Sequence, residues 1–159
     1  SKQSDGRLPK SPLYHIVKQK LGLERDLDLL ARMDLLSKRD EVAGLAVLVY
    51  EAAEQGDENA AALYREAAFE HSLTVKSIIQ QLEFPPDELI SVSYSGGVFK
   101  SGDYVLAPLR EYLNPLNAAL VQPKLSPVTG ACLYAMVLAG NSVDDQLVER
   151  LQAAEKGLA

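Results

Sequence analysis

This sequence predicts an α/β fold that is predominantly helical and carries a small parallel sheet. Three observations support that reading. Apolar residues recur at helical spacing through the first half of the chain. Two short strand-like runs, "LISVSY" and "AALVQPKL", occur only after residue 85. A helix-forming stretch separates them, and strand–helix–strand succession implies parallel neighbours joined by a right-handed crossover. The expected organisation is a loop or boundary segment over 1–10, a helical subdomain over 11–84 and a βαβα unit over 85–159.

In "SPLYHIVKQKLGL", Ser11 is a good N-cap and Pro12 suits the first helical position, where its missing N–H would have no partner. Leu13, Ile16, Val17 and Leu21 form the apolar stripe, and Gly22 can end the helix. "ERDLDLLARMDLLS" reads as a second, short helix. Ser37 is expected to cap a third through "KRDEVAGLAVLVYEAAEQ". Val42, Leu45, Ala46 and Val49 share one face of that helix, and Val47 and Leu48 fill others, so it is expected to be buried on most sides. Gly56-Asp57 marks a stop and a restart. The next helix spans roughly 57–82, with Ala60, Tyr64, Ala67, His71, Val75, Ile78 and Leu82 as its stripe.

"FPPDE" ends that helix. After "LISVSY" comes "GDYVLAPLREYLN", a helix with Ser101 or Asp103 near its start and Pro108 either kinking it or marking its first turn. Pro123 in the second strand favours an edge or a strand end. "SPVTGACLYAMVLAG" is helical and stops at Gly140. "SVDDQLVERLQAAEKG" is a final amphipathic helix, expected to be capped by Ser142. Two strands make a poor sheet alone, so a third strand or a completing segment is expected.

The chain has 159 residues, ordinary for one domain, and 47% hydrophobic residues, which argues against disorder. Its net charge is −6 and its basic residues are scattered, which disfavours nucleic acid and anionic membranes as partners. No run approaches the ~20 apolar residues of a membrane span. The opening "SKQSDGRLPK" lacks a signal-peptide core, so the expected setting is the cytoplasm. The single cysteine, Cys132, excludes an internal disulfide and a cysteine-rich metal site. Its apolar surroundings predict a buried structural thiol.

The stretch "SYSGGVFKSG" raises the functional question. Gly96 and Gly97 follow a parallel strand, at the end of the sheet where open α/β sheets bind ligands. Without side chains they let a phosphate or ribose approach the backbone. Neither GxGxxG nor GxxxxGK[ST] is present, and spacing alone favours a plain strand-to-helix turn. Thr129-Gly130-Ala131 opens a helix after the second strand, again at the carboxyl end. The plainer alternative there is a capped helix packed on the sheet through Gly130. His15 and His71 read as structural. Asp26, Asp28 and Asp34 read as a solvated helix face, and Asp144-Asp145 as first-turn acids.

Four stretches in succession, "DGRLPKSPL", "YEAAEQGDENAAALYREAA", "SVSYSGGVFKSGDYVLAPL" and "PKLSPVTGACLYAM", resemble the C-terminal part of the BadF/BadG/BcrA/BcrD-type ATPases. That family includes N-acetylglucosamine kinases and belongs to the superfamily of actin, sugar kinases and heat-shock chaperone ATPases. The likeness spans about residues 4 to 140. It implies a partial ribonuclease H-like domain with a helical insert, and ATP and Mg as cofactors. Gly96 and Gly97, flanked by Ser95 and Val98, match the adenosine-motif glycines. Thr129, Gly130 and Ala131 match the helix start near the same pocket, and Gly56-Asp57 matches a structural step.

The family's Asp-x-Gly-Gly-x-[ST] phosphate loop does not occur in this sequence. The resemblance therefore implies the later part of such an enzyme, with no catalytic residue here and no activity by this segment alone. Nucleotide and an amino sugar would be the partners of the whole protein, and an uncovered sheet edge would favour a homodimer. The family's activators of acyl-CoA dehydratases and reductases hold an iron–sulfur cluster through cysteines. Cys132, inside a helix, does not resemble such a ligand, and the helical insert resembles the sugar-kinase branch. The competing expectation is a helical module that binds a protein partner and no nucleotide.

Overall fold

A computed structural model describes residues 2–85 and 87–158, with the side chains of all these except 31, 33–37, 39, 40 and 158. The helices are α1 (Pro12–Lys20), α2 (Arg39–Glu54), α3 (Glu58–Leu82), α4 (Asp103–Leu113), α5 (Pro127–Leu138) and α6 (Asp145–Leu158). The strands β1 (Ile90–Ser93) and β2 (Ala118–Val121) pair in parallel, with Ile90 opposite Ala118 and Ser93 opposite Val121. Among the described residues these two strands form the sheet, and the protein is mostly helical.

The core is one cluster drawn from both halves of the chain. Ala52, Ala53, Ala60, Tyr64 and Ala68 meet Val105, Leu106, Leu109, Leu113 and Ala118. Small residues on α3 let α4 approach closely, and α3 and α4 form the most extensive helix pair. The buried face of α3 follows Ala60, Tyr64, Ala68 and Ser72. The expected stripe through Ala67 and His71 is off by one residue there: the face steps by four from Tyr64 to Ala68 and Ser72, then continues through half-buried Val75 and Ile79. Ile78 and Leu82 stand 47% and 63% exposed, outside the packed face.

One carboxylate joins two helix starts. Gly56 turns at φ +79°, which favours glycine, and delivers Asp57 to the N-cap of α3. Asp57 accepts from Asn59 N (2.8 Å) and Ala60 N (3.2 Å), and also from Leu13 N (2.6 Å) and Ser11 Oγ (2.5 Å) at the start of α1. Ser11 occupies the cap position of α1 but makes no side-chain cap bond; Asp57 supplies it. Burial pushes the Asp57 carboxyl up, and the hydrogen bonds from Ser11, Leu13, Ala60 and Asn59 outweigh it, so the net shift is downward.

Several expectations need correction. "ERDLDLLARMDLLS" forms 3-10 turns over Asp26–Ser37, interrupted at Arg32, rather than a continuous α-helix. The run breaks at Arg32, whose φ −102° and ψ 19° are not helical, and Leu27 and Leu30 stand 74% and 66% exposed. Lys38 takes the cap position of α2, and the Ser37 side chain lies outside the described residues. α2 is not buried on most sides: Leu48 is buried, while Val42, Val47 and Tyr50 are 40%, 65% and 38% exposed. Ser142 does not cap α6. The helix begins at Asp145, and Asp144 accepts from Leu147 N at 2.8 Å.

α3 ends at Leu82 with Glu83 in the left-handed conformation, and Pro86 of the expected breaker lies outside the described residues. Pro108 sits inside α4, not in its first turn. Pro123 follows the end of β2. Among the described residues no helix is long and apolar enough to cross a membrane.

Candidate functional site

The parallel register settles where the two candidate segments start. Ser93 and Val121 are paired, so the chain leaves both strands at the same end of the sheet. From β1 it passes through Tyr94 into Ser95-Gly96-Gly97, all three exposed. From β2 it runs to Ser126, the N-cap of α5, and so to Thr129, Gly130 and Ala131.

The two adjacent glycines serve different purposes. Gly96 has φ +120° and ψ 169°, a conformation essentially reserved for glycine. Gly97 opens a short 3-10 helix, Gly97–Ser101, with a φ any residue can adopt, and a Cβ there would meet nothing within 4 Å. Gly96 is thus explained by the turn itself, whereas neither backbone nor neighbours require Gly97 to be glycine. A Cβ at Gly130 likewise meets nothing within 4 Å, which removes the expectation that close packing on the sheet explains it.

The turn is held from behind. Val98 and Phe99 pack against the core, with the Phe99 ring 5.2 Å from Tyr94 and 5.4 Å from His71. Val98, expected to flank the ligand, therefore has its side chain turned to the core. Tyr64 Oη and Ser101 Oγ are 2.8 Å apart and fix the far end of the turn to α3. The result is an exposed backbone segment on an anchored base.

Beyond the glycines lies a cavity of about 490 Å³, lined by Tyr50, Glu54, Lys100, Gly102 and Tyr104 among others. Tyr104 stacks on Tyr64 at 5.7 Å and meets Tyr50 edge-on at 5.9 Å. Glu54, hydrogen-bonded to the Tyr104 phenol, pushes its pKa up. Sequence reading missed this cluster because its members come from the ends of three helices. A larger apolar groove of about 620 Å³ lies elsewhere, between the N-terminal turn, α1, α2 and α3, with Leu8, Leu13, Val17, Leu45 and Leu63 in its walls.

At the start of α5, the Ser126 side chain accepts from Thr129 N at 3.3 Å. Glu155, from α6, accepts from Ser126 N at 3.1 Å and from Ser126 Oγ at 2.5 Å. The hydrogen bonds from Ser126 and Thr129 hold the Glu155 carboxyl below its usual range. No feature of the sequence marked Glu155, which lies 29 residues from Ser126.

α5 itself overturns a second expectation. Cys132 is exposed, not buried. Val128, Tyr134 and Leu138 are 75%, 64% and 71% exposed, and among the described residues none of α5 or α6 belongs to the core. The apolar surroundings of Cys132 are largely uncovered among the described residues.

The remaining polar candidates have structural partners. Asp26 accepts from Tyr14 Oη (2.6 Å) and Lys18 Nζ (3.3 Å), and Asp28 accepts from Arg25 N (2.8 Å). The Asp34 side chain lies outside the described residues. His15 is exposed, its ring edge-on to Tyr14 at 5.1 Å. No group of three or more histidine, cysteine, aspartate or glutamate residues that could hold a metal is found among the described residues.

No protein-family model matches the chain, and no curated protein matches it.

Proposed function

We propose that this chain supplies the adenosine side of a Mg-ATP site in a cytoplasmic ATP-dependent sugar kinase or ATPase of the BadF/BadG/BcrA/BcrD type. In this reading it is part of a ribonuclease H-like domain. The observation that carries the proposal is Gly97. It follows the carboxyl end of β1, in a parallel strand pair whose other strand leads on to the Gly130 helix start, and neither its φ nor its neighbours demand glycine. Close approach of a ligand to the backbone would.

Gly96 and Gly97 would face the ribose and α-phosphate, with Ser95 at the rim. The start of α5, which carries Thr129, Gly130 and Ala131, would add the favourable end of a helix dipole, with the Thr129 and Gly130 N–H groups themselves bonded to Ser126. Mg-ATP would supply the transferable phosphoryl group, with an amino sugar such as N-acetylglucosamine as the acceptor. This chain's own work would be positioning, the main protein contribution in phosphoryl transfer. No residue here is assigned to catalysis or to the metal. Mg in such sites is bound through one or two carboxylates and the substrate phosphates, not by a dedicated protein cage.

The test is Gly97→Val in the whole protein, with Mg-ATP titration and thermal unfolding measured together. Loss of nucleotide binding with an unfolding midpoint close to wild type supports the proposal. Unchanged binding overturns it.

A second reading has one observation in its favour, the exposed apolar face of α5 with Val128, Tyr134 and Leu138. It makes the chain a helical module for a protein partner, without nucleotide. Under it, Tyr134→Ser with Leu138→Ser would abolish association, and Gly97→Val would change nothing.

A further inference from the structure

α6 is attached to the rest of the molecule in an unusual place. It contributes nothing to the core, yet two of its side chains reach the connection between β2 and α5. Gln152 Nε2 donates to Lys124 O at 2.7 Å. One turn further on, Glu155 accepts from both the N–H and the hydroxyl of Ser126, with its two oxygens 3.1 and 3.2 Å from the nitrogen. Gln152 and Glu155 are three residues apart, so they project from one face of the helix. Half-buried Leu147, Val148 and Leu151 lie on or near that face.

Glu155 thereby places a negative charge at the start of α5. A helix start favours negative charge, and here the protein's own carboxylate supplies it. An anionic ligand approaching Thr129, Gly130 and Ala131 would meet that charge. It would also find the Ser126 N–H and hydroxyl already engaged.

We infer that α6 is a detachable strap, clasped by Glu155 and Gln152 to the β2–α5 connection, and that its carboxylate competes with a phosphate-bearing ligand for the start of α5. The competing ligand rests on the nucleotide reading above; the clasp rests on the hydrogen bonds alone. A ligand that binds only the unclasped form is weakened by the fraction of molecules that remain clasped. Occupancy of the site and docking of α6 are then coupled in both directions.

The experiment uses the whole protein in three forms: wild type, Glu155→Ala and Glu155→Gln. Hydrogen exchange of the α6 amides reports the clasp, and calorimetric titration with Mg-ATP reports the site. In Glu155→Ala the α6 amides exchange faster and Mg-ATP binds roughly fivefold tighter, the low end of typical coupling between sites. Glu155→Gln, which keeps an acceptor oxygen but no charge, falls between. In the wild type, saturating Mg-ATP speeds α6 exchange.

Unchanged α6 exchange in Glu155→Ala refutes the clasp. Faster exchange with unchanged affinity refutes the competition while the nucleotide reading stands. If neither wild type nor variant binds Mg-ATP, the nucleotide reading falls and the competition falls with it. Exchange still decides whether Glu155 holds α6.

Discussion

Gly96 and Gly97 are neighbours, so replacing each by alanine isolates what the backbone demands from what it does not. At Gly96, φ +120° and ψ 169° lie where a Cβ is poorly tolerated, and alanine there costs about 1–3 kcal/mol even though the surrounding space is open. At Gly97 the φ is ordinary and a Cβ touches nothing within 4 Å. Alanine there stabilises by about 0.4–1 kcal/mol, because the unfolded chain loses freedom that the folded one never used. The two variants should therefore differ by at least about 1.4 kcal/mol, with opposite signs relative to wild type.

Urea unfolding resolves this. With a slope of about 2 kcal/mol per molar, the two midpoints separate by roughly 0.7 M or more and straddle the wild type. If Gly97→Ala is destabilised as much as Gly96→Ala, Gly97 is required by the fold itself. The argument that its bare backbone is kept open for a ligand then fails, whatever the nucleotide titration shows.

Two further predictions concern the frame around the site. Asp57→Ala removes the shared cap of α1 and α3 and leaves the Ser11 and Leu13 donors without their acceptor, costing about 2–4 kcal/mol in urea unfolding for two caps. Because the folded-state pKa of Asp57 lies below its ordinary value of 3.8, its contribution is fully present above that value and is lost as pH falls through the lower, folded one. Asp57→Asn should accordingly be less stable than wild type at pH 7 and converge on it in acid; parallel stability curves between pH 5 and 2 would contradict the assignment. Leu113, fully buried at the end of α4, should cost about 3 kcal/mol as Leu113→Ala, and a loss under 1 kcal/mol would mean the α3–α4 core is not the stabilising centre.

The sequence was most readable where local chemistry and tertiary need coincide. The Gly56-Asp57 break set the start of α3 to within a residue, because a positive φ and a capping carboxylate are both written locally. The strands were found for a similar reason: β-branched and apolar residues bounded by turn residues allow few alternatives. The burial of α2 and Cys132 was misjudged because apolar composition does not say which neighbour covers a face. A run such as "GACLYAMVLAG" reads as core whether or not the described chain covers it. The second role of Asp57 was invisible for a different reason. Its bond to Leu13 spans 44 residues, and nothing near Ser11 announces that its own capping duty has passed to another side chain.

The candidate site shows the same division. Spacing placed Gly96 and Gly97 after a strand but could not separate a glycine that the turn requires from one that it does not. The dihedral and the space around a Cβ make that separation. Once it is made, the uncovered α5 and the open two-stranded sheet point the same way as Gly97. A helix with Val128, Tyr134 and Leu138 in solvent leaves apolar surface exposed, and a parallel pair leaves backbone N–H and C=O groups unpaired along its edges. The open edges belong to both strands, α5 follows β2 in the chain, and Gly97 follows the carboxyl end of β1. Among the described residues no buried polar side-chain atom lacks a hydrogen-bond partner. An interaction that relieved all of these at once would have to reach β1, β2 and α5 together.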